Sequence, residues 1–209
     1  MPLLTEALFL HDVSTHAMTI LRNEGLHRHL HFKRPDTVTM SFDLITWPGH
    51  LCFTGDMGTF VFRRIPDMFA FFRTDRTHNP RVQEKQYVLG INEDYWAQKC
   101  VAADRAGIKA YSSTKFIRSI EEWLEDQHAS VSVREAVEDE VLTCADEGQN
   151  AAQTAAANFT HPSGFEFADF WEVDLTEYTE TFLWCCYAIA WGLQQYDIAY
   201  PNTEELACD

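Results

Sequence analysis

From Leu26 to Arg34 apolar and polar side chains alternate, with Leu26, Leu30 and Phe32 on one face and His27, His29 and His31 on the other. A period of two is that of a half-buried strand. The same pattern predicts strands over 38–47 (Val38, Met40, Phe42 and Leu44 on one face), 51–54 and 59–64. Arg34-Pro35-Asp36-Thr37, Pro48-Gly49-His50 and Gly55-Asp56-Met57-Gly58 supply the turns between them. Connections this short make an antiparallel meander. Before it, residues 1–12 are apolar without a period. Ser14 or Thr15 is placed to cap a short helix through Met18, Ile20 and Leu21, with Gly25 as its stop. After it, Pro66 and Asp67 open a helix carrying Met68, Phe69, Phe71 and Phe72.

Beyond a polar stretch at 74–82 the period lengthens to that of helices. Asn92 caps one predicted from Glu93 to about Ala106 and closed by Gly107, and Ile108–Tyr111 is a short strand. Ser113 or Thr114 opens a helix with Phe116, Ile117, Ile120, Trp123 and Leu124 inward. Ser132 opens another with Val133, Ala136, Val137 and Val141, and 150–159 is Ala-rich and helical. The strongest pattern lies from Asp174 to Asp197. Leu175, Tyr178, Phe182, Cys185, Ile189, Leu193 and Tyr196 recur at three- and four-residue steps, and Trp184, Ala188 and Trp191 form a second stripe beside them. A helix apolar on nearly every side is buried, and this run is shorter than the roughly 18–20 residues of a membrane span. Asp174 and Glu177 suit its N-cap. The expected class is α+β: an antiparallel β-meander in the N-terminal third packed against a helical C-terminal part with a central buried helix. We expect one domain over 1–209, with the meander and a short helix at 26–73 and the helical part at 92–197.

Composition supports a packed core, at 46% hydrophobic and 13% aromatic residues, with six Trp and fifteen Phe. The start of the chain has no basic segment followed by an apolar one, so we expect no signal peptide and a cytoplasmic protein. Cys52, Cys100, Cys144, Cys185, Cys186 and Cys208 contain no C-x-x-C pair and read as reduced thiols. Charge is unevenly spread. Residues 1–134 carry sixteen Lys/Arg and sixteen Asp/Glu, whereas 135–209 carry sixteen Asp/Glu and no Lys or Arg, so the whole net charge of −16 falls in the last third. Such a field repels nucleic acid and favours a basic partner.

Two local patterns suggest chemistry. His27, His29 and His31 share one strand face, a spacing that suits zinc or another divalent ion, with Asp43 or Asp56 as a further donor. Gly55-Asp56-Met57-Gly58 has the glycines of a phosphate loop but neither its Lys nor its Ser/Thr, and reads as a hairpin turn. Cys185 and Cys186 lie among Trp and Tyr, where desolvation makes thiols inert. No nucleophile constellation stands out, so no catalytic residue and no cofactor beyond that divalent ion is expected.

The stretches TWPGHLCFTGDMGTFVF and FLWCCYAIAWG, within 28–73 and 169–197, resemble a family of small proteins carried by tailed phages and prophages. The resemblance covers most of the chain. It implies a host-cytoplasmic protein and transfers no catalytic residue. Together with the charge split, it leads us to expect an accessory binding protein that inhibits a basic host protein, such as a nucleic-acid-binding defence complex. Glu135, Glu138, Asp139, Glu140, Asp146 and Glu147 would be its contact residues. The alternatives are a metal protein or metalloenzyme built on His27, His29, His31 and Asp56, and a homo-oligomer joined through the aromatic last helix. No direct contact with nucleic acid or membrane is expected.

Overall fold

The computed structural model describes residues 4–77 and 89–201. The chain folds as two compact units, 1–108 with 179–209, and 109–178.

The first unit is built on a six-stranded antiparallel sheet in sequential order: β1 (Ala17–Glu24), β2 (His27–Lys33), β3 (Phe42–Trp47), β4 (His50–Gly55), β5 (Gly58–Arg63) and β6 (Cys100–Ala103). Among the described residues, four helices accompany it: α1 (Glu6–Asp12), α2 (Met68–Thr77), α3 (Glu93–Ala97) and α7 (Glu180–Ala199). The meander is therefore as expected in its order, with a strand added at each edge, but the strand expected over 38–47 begins only at Phe42: Val38 is exposed and Met40 is held at a φ of 56°, so neither joins the inner face. The segment 17–24, expected to be helical, is β1, and pairs with β2 from Ala17↔Lys33 to Glu24↔His27 through an irregularity between Ile20 and Arg22. The helix expected from Glu93 to Ala106 stops at Ala97, and Cys100–Ala103 instead adds to β5. The N-terminal residues expected to be irregular form α1, capped by Thr5. The stretch expected as loop at 74–82 is helical to Thr77, and its remainder lies outside the described residues.

Alternation sends one row of large side chains to a single face of the sheet. Leu30, Phe32, Phe42, Leu44, Leu51, Phe53, Phe60 and Phe62 are each no more than 1% exposed. Helix α7 lies over this face. Phe42 meets Trp184 edge-on at 5.4 Å, and Phe60 meets Phe182 at 5.6 Å. Fully burying one such side chain stabilises by about 1.5–3 kcal/mol, and edge-to-face rings add about 0.5–1.5 kcal/mol per pair. Phe9 of α1 packs on Trp184 at 5.0 Å, and Phe69 of α2 on Tyr196 at 5.3 Å. A bidentate Arg28–Asp67 pair, at 2.9 and 3.0 Å, ties β2 to the start of α2. Burial opposes the charge on Asp67, but Arg28 holds its carboxyl below the ordinary value. With neighbours on several sides, α7 buries Phe182 to Cys186, Ala188 to Ala190, Gly192 and Leu193. It begins later than expected, at Glu180. Thr179 is its cap, accepting from the Phe182 amide, and 176–178 ahead of it is a strand.

The second unit is a helical insertion whose ends meet in a two-stranded ladder. β7 (Lys109–Tyr111) pairs with β8 (Thr176–Tyr178), from Lys109↔Tyr178 to Tyr111↔Thr176. Between them run α4 (Ser113–Asp126), α5 (Val131–Glu140), a 3₁₀ turn (Leu142–Glu147), α6 (Gln149–Asn158) and a second 3₁₀ turn (Phe170–Glu172). Ser112 and Ser130, one and two residues before the expected caps, accept from the Lys115 and Val133 amides. Phe116, Ile120, Leu124, Val133, Val137, Val141, Ala152, Ala156, Phe159, Phe167 and Phe170 form a core made entirely within this unit. Tyr111 donates to the Ala145 carbonyl at 2.7 Å. No described helix is long and apolar enough to cross a membrane.

Gly192 shows how closely α7 approaches the sheet. A Cβ built there lies 2.6 Å from Leu44 Cδ1 and 3.2 Å from Phe32 Cζ, both on fully buried side chains. Alanine normally favours a helix interior over glycine by about 1 kcal/mol. At this contact overpacking prevails, and we expect Gly192→Ala to destabilise by about 1–3 kcal/mol, read from denaturant midpoints. A stabilised variant would show that the helix does not touch the sheet there.

Candidate functional site

The unit 109–178 carries fifteen Asp/Glu and four Lys/Arg, a net −11 of the chain's −16. Helix geometry spreads these charges outward. On α4 the buried positions Phe116, Ile120 and Leu124 recur at four-residue steps, which leaves Glu121, Glu122, Glu125 and Asp126 exposed. On α5, Val133 and Val137 face the core, and Glu135, Glu138, Asp139 and Glu140 face solvent. Asp146 and Glu147 are exposed on the 3₁₀ turn that follows. All six carboxylates expected to contact a partner are therefore on the surface.

The four cations of this unit are engaged close to home. Lys109 and Lys115 reach Asp174 at 3.8 and 3.4 Å, and Arg118 reaches Glu177 at 3.5 Å. Arg134 donates to the Leu124 and Ala129 carbonyls at 3.1 and 3.3 Å, closing the C-terminal end of α4. Among the described residues none of the carboxylates on α4, α5 and the first 3₁₀ turn has an ion-pair partner, so their field stands uncompensated. Asp174 does not cap the last helix as expected. Its carboxylate accepts from the Thr176 hydroxyl at 2.7 Å and the Thr176 amide at 2.9 Å. Those two bonds, with Lys115 beside them, bring its pKa down to about 2.

The histidine-bearing strand β2 turns His29 and His31 to the face of the sheet opposite Leu30 and Phe32. The register sets His31 directly across from Asp43 on β3. His29 Nε2 and His31 Nδ1 both address the same oxygen, Asp43 Oδ1, at 2.7 and 3.1 Å. The three side chains are 33, 30 and 24% exposed. His27 lies at the exposed end of the strand, paired with Glu24 of β1. Asp56 is apart from the histidines: its Oδ2 accepts the Met40 amide at 2.9 Å, supporting a residue held at φ 56°. The structure thus brings together His29, His31 and Asp43, and leaves His27 and Asp56 elsewhere. Among the described residues no group of three or more His, Cys, Asp or Glu could hold a metal ion. Alternation alone identified the histidine face, whereas choosing Asp43 over Asp56 needs the strand register.

The remaining candidates have structural roles. Gly55 and Gly58 are paired across the β4–β5 hairpin. Gly58 has a φ of 98°, and a Cβ on Gly55 would collide with the Ser41 carbonyl. Cys185 and Cys186 are fully enclosed, and burial pushes both thiols well up. An open hollow of about 320 Å³ is bounded by Ile65, Phe71, Thr74, Asp75 and Tyr95. Its carboxylate, Asp75, already receives Trp96 Nε1 at 2.6 Å and Asn92 Nδ2 at 3.4 Å. No protein-family model, curated protein or solved structure matches the chain.

The Asp174 turn can be tested alone. We expect its carboxyl to titrate near 2 by NMR, and Thr176→Val, which deletes the hydroxyl donor, to move it up toward the ordinary Asp range of about 3.9. Because the folded value is depressed, any stability it contributes is present above that ordinary value and is lost as pH falls through the folded one. Titration at the ordinary value in the unaltered chain would refute the assignment.

Proposed function

We propose that this chain is an accessory binding protein that occupies a basic surface on a partner protein with the acidic face of the 109–178 unit. The observation that carries the proposal is the uncompensated charge of that unit: fifteen carboxylates, four cations, and every cation tied to a local acceptor. Glu135, Glu138, Asp139, Glu140, Asp146 and Glu147, all exposed, would substitute for phosphates on a partner surface that binds nucleic acid. Charge complementarity of this kind speeds encounter and suppresses wrong partners. The resemblance to phage and prophage proteins supports a setting in the host cytoplasm, with a host enzyme or defence complex as the target and inhibition as the outcome. The aromatic stripe that motivated self-association is largely buried within the first unit, where Phe182 is 0% and Trp184 1% exposed.

The test is a pull-down from host lysate with the tagged full chain, washed at rising salt, beside a variant in which those six carboxylates are replaced by Gln or Asn. We expect a basic protein to be retained at low salt, released at high salt, displaced by added duplex DNA, and lost on the variant. Screening within about 8–10 Å at physiological ionic strength is the reason for the salt dependence. The melting temperature of the variant, unchanged or raised because like charges are removed, shows that the loss is not unfolding. Capture that is indifferent to salt, DNA and neutralisation contradicts the proposal.

A further inference from the structure

Five of the six tryptophans pack on another ring: Trp47 on His50 at 5.0 Å, Trp96 on Phe72 at 4.7 Å, Trp123 on Phe167 at 5.9 Å, Trp184 on Phe9 at 5.0 Å and Trp191 on Phe32 at 5.5 Å. Trp171 does not. It is 59% exposed, and among the described residues its indole has no ring, cation or hydrogen-bond partner. We propose that Trp171, flanked by Asp169 and Glu172, receives an arginine side chain of the basic partner, with the guanidinium stacked on the indole. This rests on the acidic unit facing a basic protein, and it names the side chain that the unit reads. The turn that displays the indole is anchored. Phe170, fully buried, meets Phe116 at 5.9 Å and Phe167 at 5.7 Å. The Glu172 amide donates to the Asp169 carbonyl at 3.0 Å, and the Val173 amide to the Phe170 carbonyl at 3.2 Å. A side chain held on such a base needs little further ordering when a partner docks.

Charge and ring chemistry select the occupant. Among aromatic side chains the indole face attracts a cation most strongly. A guanidinium is planar and weakly hydrated, so it stacks on a ring more readily than an ammonium does. Its N–H groups stay free at the edge of the stack to donate to carboxylates. Asp169 and Glu172 are exposed on either side of Trp171 in the chain, and neither has an ion-pair partner among the described residues. The unit's own cations do not compete for the place: Lys109 and Lys115 reach Asp174, Arg118 reaches Glu177, and Arg134 donates to carbonyls at the end of α4. An apolar side chain would leave both carboxylates unserved, and a phosphate would be repelled by them. A tryptophan exposed only as ordinary surface differs in one respect: it confers no preference for arginine over lysine.

The test titrates the full chain with an arginine-only peptide and a lysine-only peptide of equal length, following the indole N–H signals by NMR. The signal missing from Trp171→Ala is that of Trp171. We expect it to shift on adding the arginine peptide, and the arginine peptide to bind more tightly than the lysine one. Trp171→Ala should weaken the arginine peptide by about two- to fivefold and narrow the preference, with an unchanged melting temperature showing that the fold is intact. Neutralising the carboxylates of α5 and the first 3₁₀ turn should weaken both peptides yet leave the Trp171 signal responsive to arginine. A Trp171 signal that does not move, or a Trp171→Ala variant with undiminished affinity and preference for arginine, overturns this inference and leaves the acidic face standing. Failure of both peptides to bind the unaltered chain overturns the acidic face and this inference together.

Discussion

The contact between α7 and the phenyl-lined face of the sheet is the constraint on which the first unit depends. Phe32, Phe42, Phe53, Phe60 and Phe62 come from four different strands, and each is fully or almost fully buried. A sheet face this apolar needs a cover, and a helix apolar all round needs neighbours on several sides. α7 meets both requirements at once. Gly192 permits close approach over Leu44 and Phe32, and Trp184 fills the space between Phe42 and Phe9. The pairing is also distant in sequence: the sheet ends at Ala103 and α7 begins at Glu180. Folding of the first unit therefore waits on a long-range contact.

The intervening chain solves its own packing problem. The residues from Lys109 to Tyr178 have a separate core, and the β7–β8 ladder brings their two ends together. That arrangement leaves the outer faces of α4 and α5 free of any part in the core. Charge can accumulate there at little cost to stability, because exposed carboxylates are hydrated and screened. The division is physical: apolar and aromatic residues concentrated under the sheet hold the first unit together, while the surface of the insertion carries most of the net charge.

Much of this could be read from the sequence, and the exceptions have specific causes. β2 to β5 followed from period-two alternation, and the buried helix followed from its unbroken apolar run. The segment 17–24 differs from expectation because Met18, Ile20 and Leu21 also fit a helical stripe; only the ladder to β2 makes it a strand. Cys100–Ala103 is a four-residue edge strand, too short to show a period, and pairing with β5 determines it. The start of α7 shifted because Asp174 found its hydrogen bonds in the Thr176 turn, leaving Thr179 to cap the helix. The exposed carboxylates of α4 and α5 were legible because helical period fixes which side faces the core. The grouping of His29 and His31 with Asp43 was legible only in part, since sequence shows which face a strand residue takes but not which residue lies across from it.

The most direct measurement of the central claim, that α7 on the aromatic sheet face holds the first unit together, is native-state hydrogen exchange of the full chain across a denaturant series. The account predicts that amides from Phe182 to Leu193 are among the slowest, exchanging together with those of β3 and β4 through one global opening. Amides of α4 and α5 should exchange through a separate opening of the insertion. Exchange of 182–193 that is fast, local and uncoupled from β3 and β4 would contradict it.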